Sequence, residues 1–348
     1  IYPYNDVYEY IKKIPEGKSV LVNGKKTNYA IMMNIADGVE VINEENVTFL
    51  PKAIKNATEV ENERIAHVKD GVAMVKFIHY LKTRVGKEKI TELSAAEELE
   101  KFRGEQEHYM GPSFEPIIGF AEHGAIVHYS ATEDSDVTLE PRSLVLCDTG
   151  GQYLEGTTDI TRTVLVSPHI SDEIRKMYTT VLKSHIALAS LIFPRGTSGM
   201  QIDAIARRPL WDLGLDYAHG TGHGVGHVLS VHEGPQNISS KRSLVPLEPG
   251  MVISCEPGFY KEGEYGIRLE NLLVVIPCTK PGMQHMLCFS PLTLVPFDNR
   301  LIIKELLSQK EIDYLNNYHQ NVNNVIVAAG TSLTEDELNW LNKATATI

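Results

Sequence analysis

Apolar and polar positions change period several times along the 348-residue chain. Residues 1–53 alternate quickly: a short helix near DVYEYIKKI, a strand at SVLVN, a helix around KTNYAIMMNI and a strand at VEVI. That is the pattern of part of an α/β unit. A long helical stretch follows to about Arg84, and Thr58 with Glu61 has the spacing of a capping box at its start. Gly71 interrupts the stretch. Ser94 and Glu97 repeat the capping spacing before AAEELEKF. Between residues 112 and 166, prolines, glycines and short apolar runs predict strands. Two helices come next, SDEIRKMYTTVLKSHIALASLIF and a second around MQIDAIARRPLWDL, where Pro209 predicts a kink. Residues 215–298 are strand-rich again, and SQKEIDYLNNYHQNVNNVI opens a helical C-terminal segment with a second short helix behind it. Helices then a hairpin occur twice, without a fixed repeat length.

Composition narrows the class. The length suits one large domain or two ordinary ones. With 43% apolar and 22% charged residues the chain can bury a full core. Its 45 acidic and 33 basic residues give a formal charge of −12, which argues against nucleic acid or an anionic membrane as partner. No uncharged apolar run approaches about 18 residues, so no membrane-spanning helix is expected. The first residues, IYPYNDVYEY, have neither a basic head nor an apolar core, so no secretory signal is expected there. The chain does not begin with Met, as a fragment or processed form would not. Cys147, Cys255, Cys278 and Cys288 form no CxxC, which favours free thiols and a reducing cytoplasm.

The chemistry concentrates in two hairpin candidates. In SLVLCDTGGQYLEGTTDITRTVLV, a pairing centre between Tyr153 and Leu154 sets Asp148 opposite Asp159. Opposed Cβ atoms lie about 4.5–5.5 Å apart. Two carboxylates so close repel unless one is protonated or a cation neutralises both. The plain alternative is a strand-ending Asp148 and a solvated Asp159. In MVISCEPGFYKEGEYGIRLENLLVV, Glu256 and Glu270 are equidistant from Gly263, so the same arithmetic brings them face to face. Each acid interrupts an apolar run, and buried ionised groups need partners. The stretch HGTGHGVGH at 219–227 suits an extended chain better than a helix, because four glycines cost a helix about 1 kcal/mol each. As a strand it puts His219, His223 and His227 on one side. Taken alone, HGTGH fits a metal ligand or a packed histidine equally. Four carboxylates and a histidine form an oxygen-rich set for two divalent ions, Mn²⁺ first, with Zn²⁺, Co²⁺ or Fe²⁺ compatible. Two-metal hydrolases hold such ions about 3.5–4 Å apart.

Together, DTGGQYLEGTTDITRT, HGTGHGVGHVLSVHEGP and EPGFYKEGEYGIRLEN resemble the pita-bread metallopeptidases, and most closely the long, cytoplasmic-type Xaa-Pro aminopeptidases (aminopeptidase P). The resemblance covers roughly residues 55–348. It implies an α+β architecture: a pita-bread, creatinase/aminopeptidase-like catalytic domain at 55–302, a partial α/β (creatinase-like N-terminal) remnant at 1–54 and a C-terminal helical extension at 303–348. It also implies that Asp148 binds one metal, that His223 and Glu256 bind the other, and that Asp159 and Glu270 bridge the two. His128, His219 and His232 would line the substrate side, Glu256 would also accept a proton from water, and Arg268 would support the set. No role is expected for His123, His169, His185 or His227. The implied reaction is hydrolysis of an N-terminal Xaa-Pro bond by a hydroxide bridging the two ions, on peptides with proline second. A homodimer is a further expectation. The rival readings are a prolidase acting on Xaa-Pro dipeptides, a methionine aminopeptidase and a non-catalytic pita-bread binding protein.

Overall fold

A computed structural model describes residues 1–241, 244–330 and 332–348. The chain forms two compact units, residues 1–52 and 53–348. In the first, helix α1 (Asp6–Lys12), strand β1 (Ser19–Val22), helix α2 (Tyr29–Met33) and strand β2 (Glu40–Asn43) alternate as the sequence pattern predicts, and β1 pairs with β2 in parallel. A short helix α3 (Phe49–Ala53) ends this region.

The second unit opens with the 28-residue α4 (Ala57–Arg84) and α5 (Glu92–Gly104). Both carry capping boxes, but earlier than the sequence spacing suggested. Asn56 and Glu59 cap α4 in place of Thr58 and Glu61. Asparagine accepts from the first-turn N–H groups at least as well as threonine, so the helix starts at the first competent cap. Thr91 and Ser94 cap α5 in place of Ser94 and Glu97, because Thr91 is held extended by a bridge to Thr138 and the helix turns immediately after it.

Strands β3 (Tyr109–Pro112), β4 (Ile117–Phe120), β5 (Leu144–Thr149), β6 (Gly151–Tyr153), β7 (Gly156–Thr157) and β8 (Ile160–Leu165) form two small antiparallel sheets, ordered β4-β5-β8 and β3-β6-β7. Helix α6 (Asp172–Ala189), strand β9 (Ile192–Pro194) and helix α7 (Gly199–Trp211) follow. Ile192 and Phe193 at the apolar end of the predicted helix thus belong to a strand. Pro209 sits in the last turn of α7, which continues as one helix to Trp211. Then come β10 (Gly222–His223), β11 (Asn237–Ile238), β12 (Val252–Cys255), β13 (Gly258–Lys261), β14 (Tyr265–Arg268), β15 (Asn271–Pro277) and β16 (Met286–Pro291). Strands β12-β15-β16-β9 make an antiparallel sheet that packs over α6 and α7 through Leu188, Ile202, Ile253, Leu273 and Phe289. Helices α8 (Gln309–Ala329) and α9 (Glu335–Ala344) close the chain, and Leu315, Val322 and Ile326 of α8 bury in the same cluster as Val75 of α4 and Ile267 of β14.

The second hairpin has the register expected from Gly263. Gly258 opposes Arg268 and Cys255 opposes Asn271, so Glu256 and Glu270 fall in register between two paired segments. The first hairpin is shifted. Asp148 opposes Thr161, not Asp159, and the two-residue turn is Leu154–Glu155. Burial decides this register: Tyr153 is 0% exposed and donates its hydroxyl proton to Asp70, whereas Leu154 is 58% exposed at the tip. Asp159 still lies on the face of Asp148, since side chains two apart share a face.

Gly71 gives α4 its contact with the C-terminal segment. A Cβ there would lie 2.7 Å from Ile326 Cδ1 and 2.8 Å from the Leu294 carbonyl oxygen. In an exposed helix, alanine for glycine gains about 1 kcal/mol. Here the clash reverses the sign, and Gly71→Ala is expected to lower the thermal unfolding midpoint; a raised midpoint would contradict this packing.

Candidate functional site

Five segments converge beside the breaks in the pairing of both hairpins. Asp148 lies in β5 one residue before its end, Asp159 precedes β8, His223 ends β10, and Glu256 and Glu270 follow β12 and β14. Backbone bonds join these ends: Glu270 N–H donates to the Thr161 carbonyl at 3.0 Å, and Glu256 N–H to the Thr221 carbonyl at 2.8 Å. The glycines of HGTGHGVGH permit the convergence. A Cβ on Gly222 would sit 2.0 Å from the Ser254 carbonyl oxygen, so only glycine lets β10 lie against β12. The predicted strand is much shorter than expected. Gly222 and His223 pair with Ile238 and Asn237, Gly224 adds a single bridge to Ile253, and the chain then turns. His227 therefore does not share the wall with His219 and His223, and its Nδ1 instead contacts Glu63 of α4 at 2.9 Å.

Three ligand-competent groups interlock at this point: Asp148 with Asp159 and Glu270; His223 with Glu256 and Glu270; and Asp159 with His223 and His232. Within each, one ligand atom per residue lies within 4.8 Å of the others. His223 Nε2 is 3.4 Å from both Asp159 Oδ2 and Glu256 Oε1. Asp159 is 3% and Glu270 1% exposed. Among the described residues, two cationic side chains face these four acids, His223 and the buried Arg268, whose Nη2 donates to Asp148 Oδ2 at 2.6 Å. Thr161 Oγ1 donates to Glu270 Oε2 at 2.7 Å and Ser254 Oγ to Glu256 Oε1 at 3.1 Å. Asp148 Oδ1 and Glu270 Oε1 are buried without any hydrogen-bond partner. Orphaned carboxylate oxygens beside an uncompensated cluster are what a divalent cation satisfies, so these residues fit a metal pair.

The electrostatics agree. Burial raises Asp159 to about 6, with His223 lowering it and Asp148 raising it further. Burial raises Glu256 to about 7 against the charges of His223 and Arg268. Glu270 stands well above the ordinary carboxylate value through burial and then the charges of Asp159 and Glu256. Burial alone would lower His223, but the Asp159 hydrogen bond and the Glu256 charge outweigh it and raise the group to about 9. His223 Nδ1 lies 3.0 Å from the Gly224 carbonyl and must donate to it, which leaves Nε2 directed at the acids.

A cavity of about 350 Å³ opens onto this set, lined also by His128, His219, His232, Phe114, Ile117 and Val127. His128 and His232 are exposed and His219 is half-buried. The His232 ring meets His223 edge to face at 4.2 Å. His219 Nε2 contacts the Tyr260 hydroxyl at 2.8 Å, and Arg268 Nη1 donates to that same hydroxyl at 2.7 Å. Every sequence-predicted site residue thus reaches this one cavity. Sequence reasoning did not find Tyr260, which no motif spacing marks, or the apolar wall of Phe114, Ile117 and Val127, which reads as ordinary core. His185, for which no role is expected, is fully buried on α6 with Nδ1 3.2 Å from the Cys255 carbonyl.

Carboxylates brought together from two hairpins, with a histidine from β10, inside an α+β domain are the make-up of a metal-dependent hydrolase site. The model of metallopeptidase family M24 matches residues 61–277, that of the family's C-terminal region residues 285–348, and that of the creatinase/prolidase N-terminal domain residues 1–59. The chain belongs to metallopeptidase family M24, and the fold is the pita-bread architecture expected from its motifs. It is 40% identical to a "Probable Xaa-Pro aminopeptidase P" of Sordaria macrospora across 99% of the chain and 59% of that protein. It is 37% identical to "Xaa-Pro aminopeptidase 1" of Dictyostelium discoideum across 98% of the chain and 55% of that protein. Among solved structures it is similar to the X-prolyl aminopeptidase of Caenorhabditis elegans, described as a cytosolic enzyme with a di-nuclear active site: TM-score 0.90, 35% identity, 100% of the chain and 58% of that one. A prolidase from Pyrococcus furiosus matches at TM-score 0.66 and 26% identity over 84% of the chain and 80% of that one. The chain therefore spans just over half the length of these aminopeptidase relatives.

The raised groups among the proposed metal ligands act in one direction on the metal-free fold. Asp159 and Glu256 keep protons when folded at pH values where the unfolded chain has released them, so their contribution falls as pH rises from about 4 to about 7. The contribution of His223 is present below 6.5 and is lost as pH rises to about 9. An added divalent ion displaces those protons. The gain in thermal midpoint on adding Mn²⁺ is therefore expected to grow as pH rises from about 5 to about 9; a flat or shrinking gain would contradict it.

Proposed function

We propose that the chain carries the catalytic part of an Xaa-Pro aminopeptidase, a metal-dependent hydrolase that removes the N-terminal residue from peptides with proline second. The observation that carries this reading is the buried acid cluster with its two orphaned oxygens, beside His223 and at the floor of an open cavity. Asp148 would hold one ion, His223 and Glu256 the other, and Asp159 and Glu270 both. Two divalent ions, which we take as Mn²⁺, would supply Lewis acidity toward a carbonyl oxygen and toward water.

The chain's own residues then divide the remaining work. Glu256, raised to about 7, is suited to take a proton from the attacking water at neutral pH. Arg268 holds Asp148 and Tyr260 in place from behind. His219, lowered by burial to about 4, stays neutral and forms a polar wall for the scissile carbonyl. His232, lowered mainly by burial and beside His223, lines the same wall. His128 stands exposed at the rim and has the freedom to carry a proton to the leaving prolyl nitrogen. An Xaa-Pro bond has no N–H to recognise. The apolar Phe114, Ile117 and Val127 supply a surface that selects by ring shape instead.

Family similarity and four free thiols support a cytoplasmic setting; among the described residues no helix is long and apolar enough to cross a membrane. A homodimer rests on the family resemblance alone. The similarity to prolidases favours a second reading, a dipeptidase confined to Xaa-Pro dipeptides.

Two measurements test the proposal. With Mn²⁺ added, Gly-Pro-Leu is expected to be cleaved and Gly-Ala-Leu left intact; equal rates would sink the proline specificity, and cleavage of Gly-Pro alone would favour the dipeptidase. Asp159→Ala is expected to lose bound metal and to slow turnover by at least about 100-fold. Unchanged metal content and turnover would remove Asp159 from the ligand set.

A further inference from the structure

Helix α7 presents a buried ion pair to the stretch that carries His219, and the chemistry above makes no use of it. Arg207 is 4% and Asp203 3% exposed. Arg207 Nε donates to Asp203 Oδ2 at 2.7 Å. Its Nη1 donates to the Tyr217 carbonyl at 2.7 Å and to Asp216 Oδ1 at 2.9 Å, and its Nη2 to the His219 carbonyl at 2.7 Å. The other oxygen of Asp203 accepts from Thr221 Oγ1 at 2.6 Å, and that hydroxyl also meets the Tyr217 hydroxyl at 2.6 Å. The guanidinium lies 4.1 Å over the Tyr217 ring, whose centroid is 4.9 Å from that of His219. One ion pair therefore grips residues 217, 219 and 221 by carbonyl, carbonyl and hydroxyl.

The grip has two consequences at the site. His219 Nδ1 is 2.7 Å from the Gly220 carbonyl oxygen, which can only accept, so Nδ1 carries the proton. Nε2 then has a lone pair and accepts from the Tyr260 hydroxyl. The His219 ring is held in one tautomer and one orientation between the Gly220 carbonyl and the Tyr260 hydroxyl, on a backbone that Arg207 anchors. The Thr221 carbonyl, fixed by the same anchor, receives the Glu256 N–H and so sets where that carboxylate leaves β12.

We infer that Asp203 and Arg207 are positioning residues for the candidate active site, acting through His219 and the Thr221 carbonyl and touching no reacting atom. The catalytic consequence rests on the aminopeptidase reading; the placement of His219 does not. A forked guanidinium spans two carbonyls and a carboxylate, whereas a lysine is a point charge that can pair with Asp203 but cannot bridge the three. A purely charge-balancing role would be restored by Arg207→Lys, and a positioning role would not.

The experiment uses the full chain, ¹⁵N-labelled at histidine, as wild type, Arg207→Lys and Asp203→Asn, with His219→Gln to assign the resonance. Long-range ¹⁵N–¹H spectra are expected to show His219 as the single Nδ1–H tautomer in wild type and as a mixture in both variants. The variants are expected to keep the wild-type metal content and to lose kcat on Gly-Pro-Leu by about 10- to 100-fold, with KM little changed. An unchanged His219 signature in both variants, full rescue by lysine, or unfolding of both variants would each overturn the inference. If Arg207→Lys alone unfolds, the His219 signature of Asp203→Asn decides. If wild type cleaves no Xaa-Pro peptide, the aminopeptidase reading fails and the tautomer measurement alone decides this one.

Discussion

Four carboxylates share one pocket with two cationic side chains, and that imbalance organises the site. Asp148, Asp159, Glu256 and Glu270 cannot all ionise against His223 and Arg268 alone. Without further cations the pocket keeps protons, as the upward shifts of Asp159, Glu256 and Glu270 show. Two carboxylate oxygens remain orphaned even then. A fold rarely tolerates such a cluster unless divalent ions complete it, because unpaired buried charge costs several kcal/mol per ion.

The scaffold holds the acids where ordinary sheet pairing gives way. Asp159, Glu256 and Glu270 lie in gaps between paired segments, and Asp148 sits one residue inside the end of the β5 ladder, so the carboxylates are bounded by rigid ladders. The gaps are stitched to one another by backbone bonds, Glu270 to Thr161 and Glu256 to Thr221. Glycine at 222 then lets the His223 strand approach β12 closely. Preorganisation of this sort fixes the ligand positions before any ion arrives.

Much of this was legible in the chain because it depends on local symmetry. Glu256 and Glu270 could be paired by counting outward from Gly263, since the turn that Gly263 permits is the register of the whole hairpin. The Asp148 hairpin was misjudged by one position in its centre because its register depends on burying Tyr153 against Asp70, 83 residues away in sequence. The helix caps moved for a related reason: Thr91 becomes a cap only because a distant bridge to Thr138 holds it extended. The HGTGHGVGH stretch showed its chemistry but not its shape, for His227 is drawn off by Glu63. Tyr260 left no trace in spacing, and the i,i+4 spacing of Asp203 and Arg207 marks only a helix-face ion pair, since both reach the site through tertiary packing of α7 and β13 against the 217–221 stretch. The family motifs supplied what periodicity could not, the assignment of chemistry to these particular positions.

The most direct test of the central claim is an anomalous difference map from crystals of the chain loaded with Mn²⁺, recorded at the manganese edge. The account predicts two peaks about 3.5–4 Å apart, both within bonding distance of Asp159 and Glu270, with Asp148 on one and His223 and Glu256 on the other. A map without peaks there, with the four carboxylates turned apart toward solvent, would contradict it.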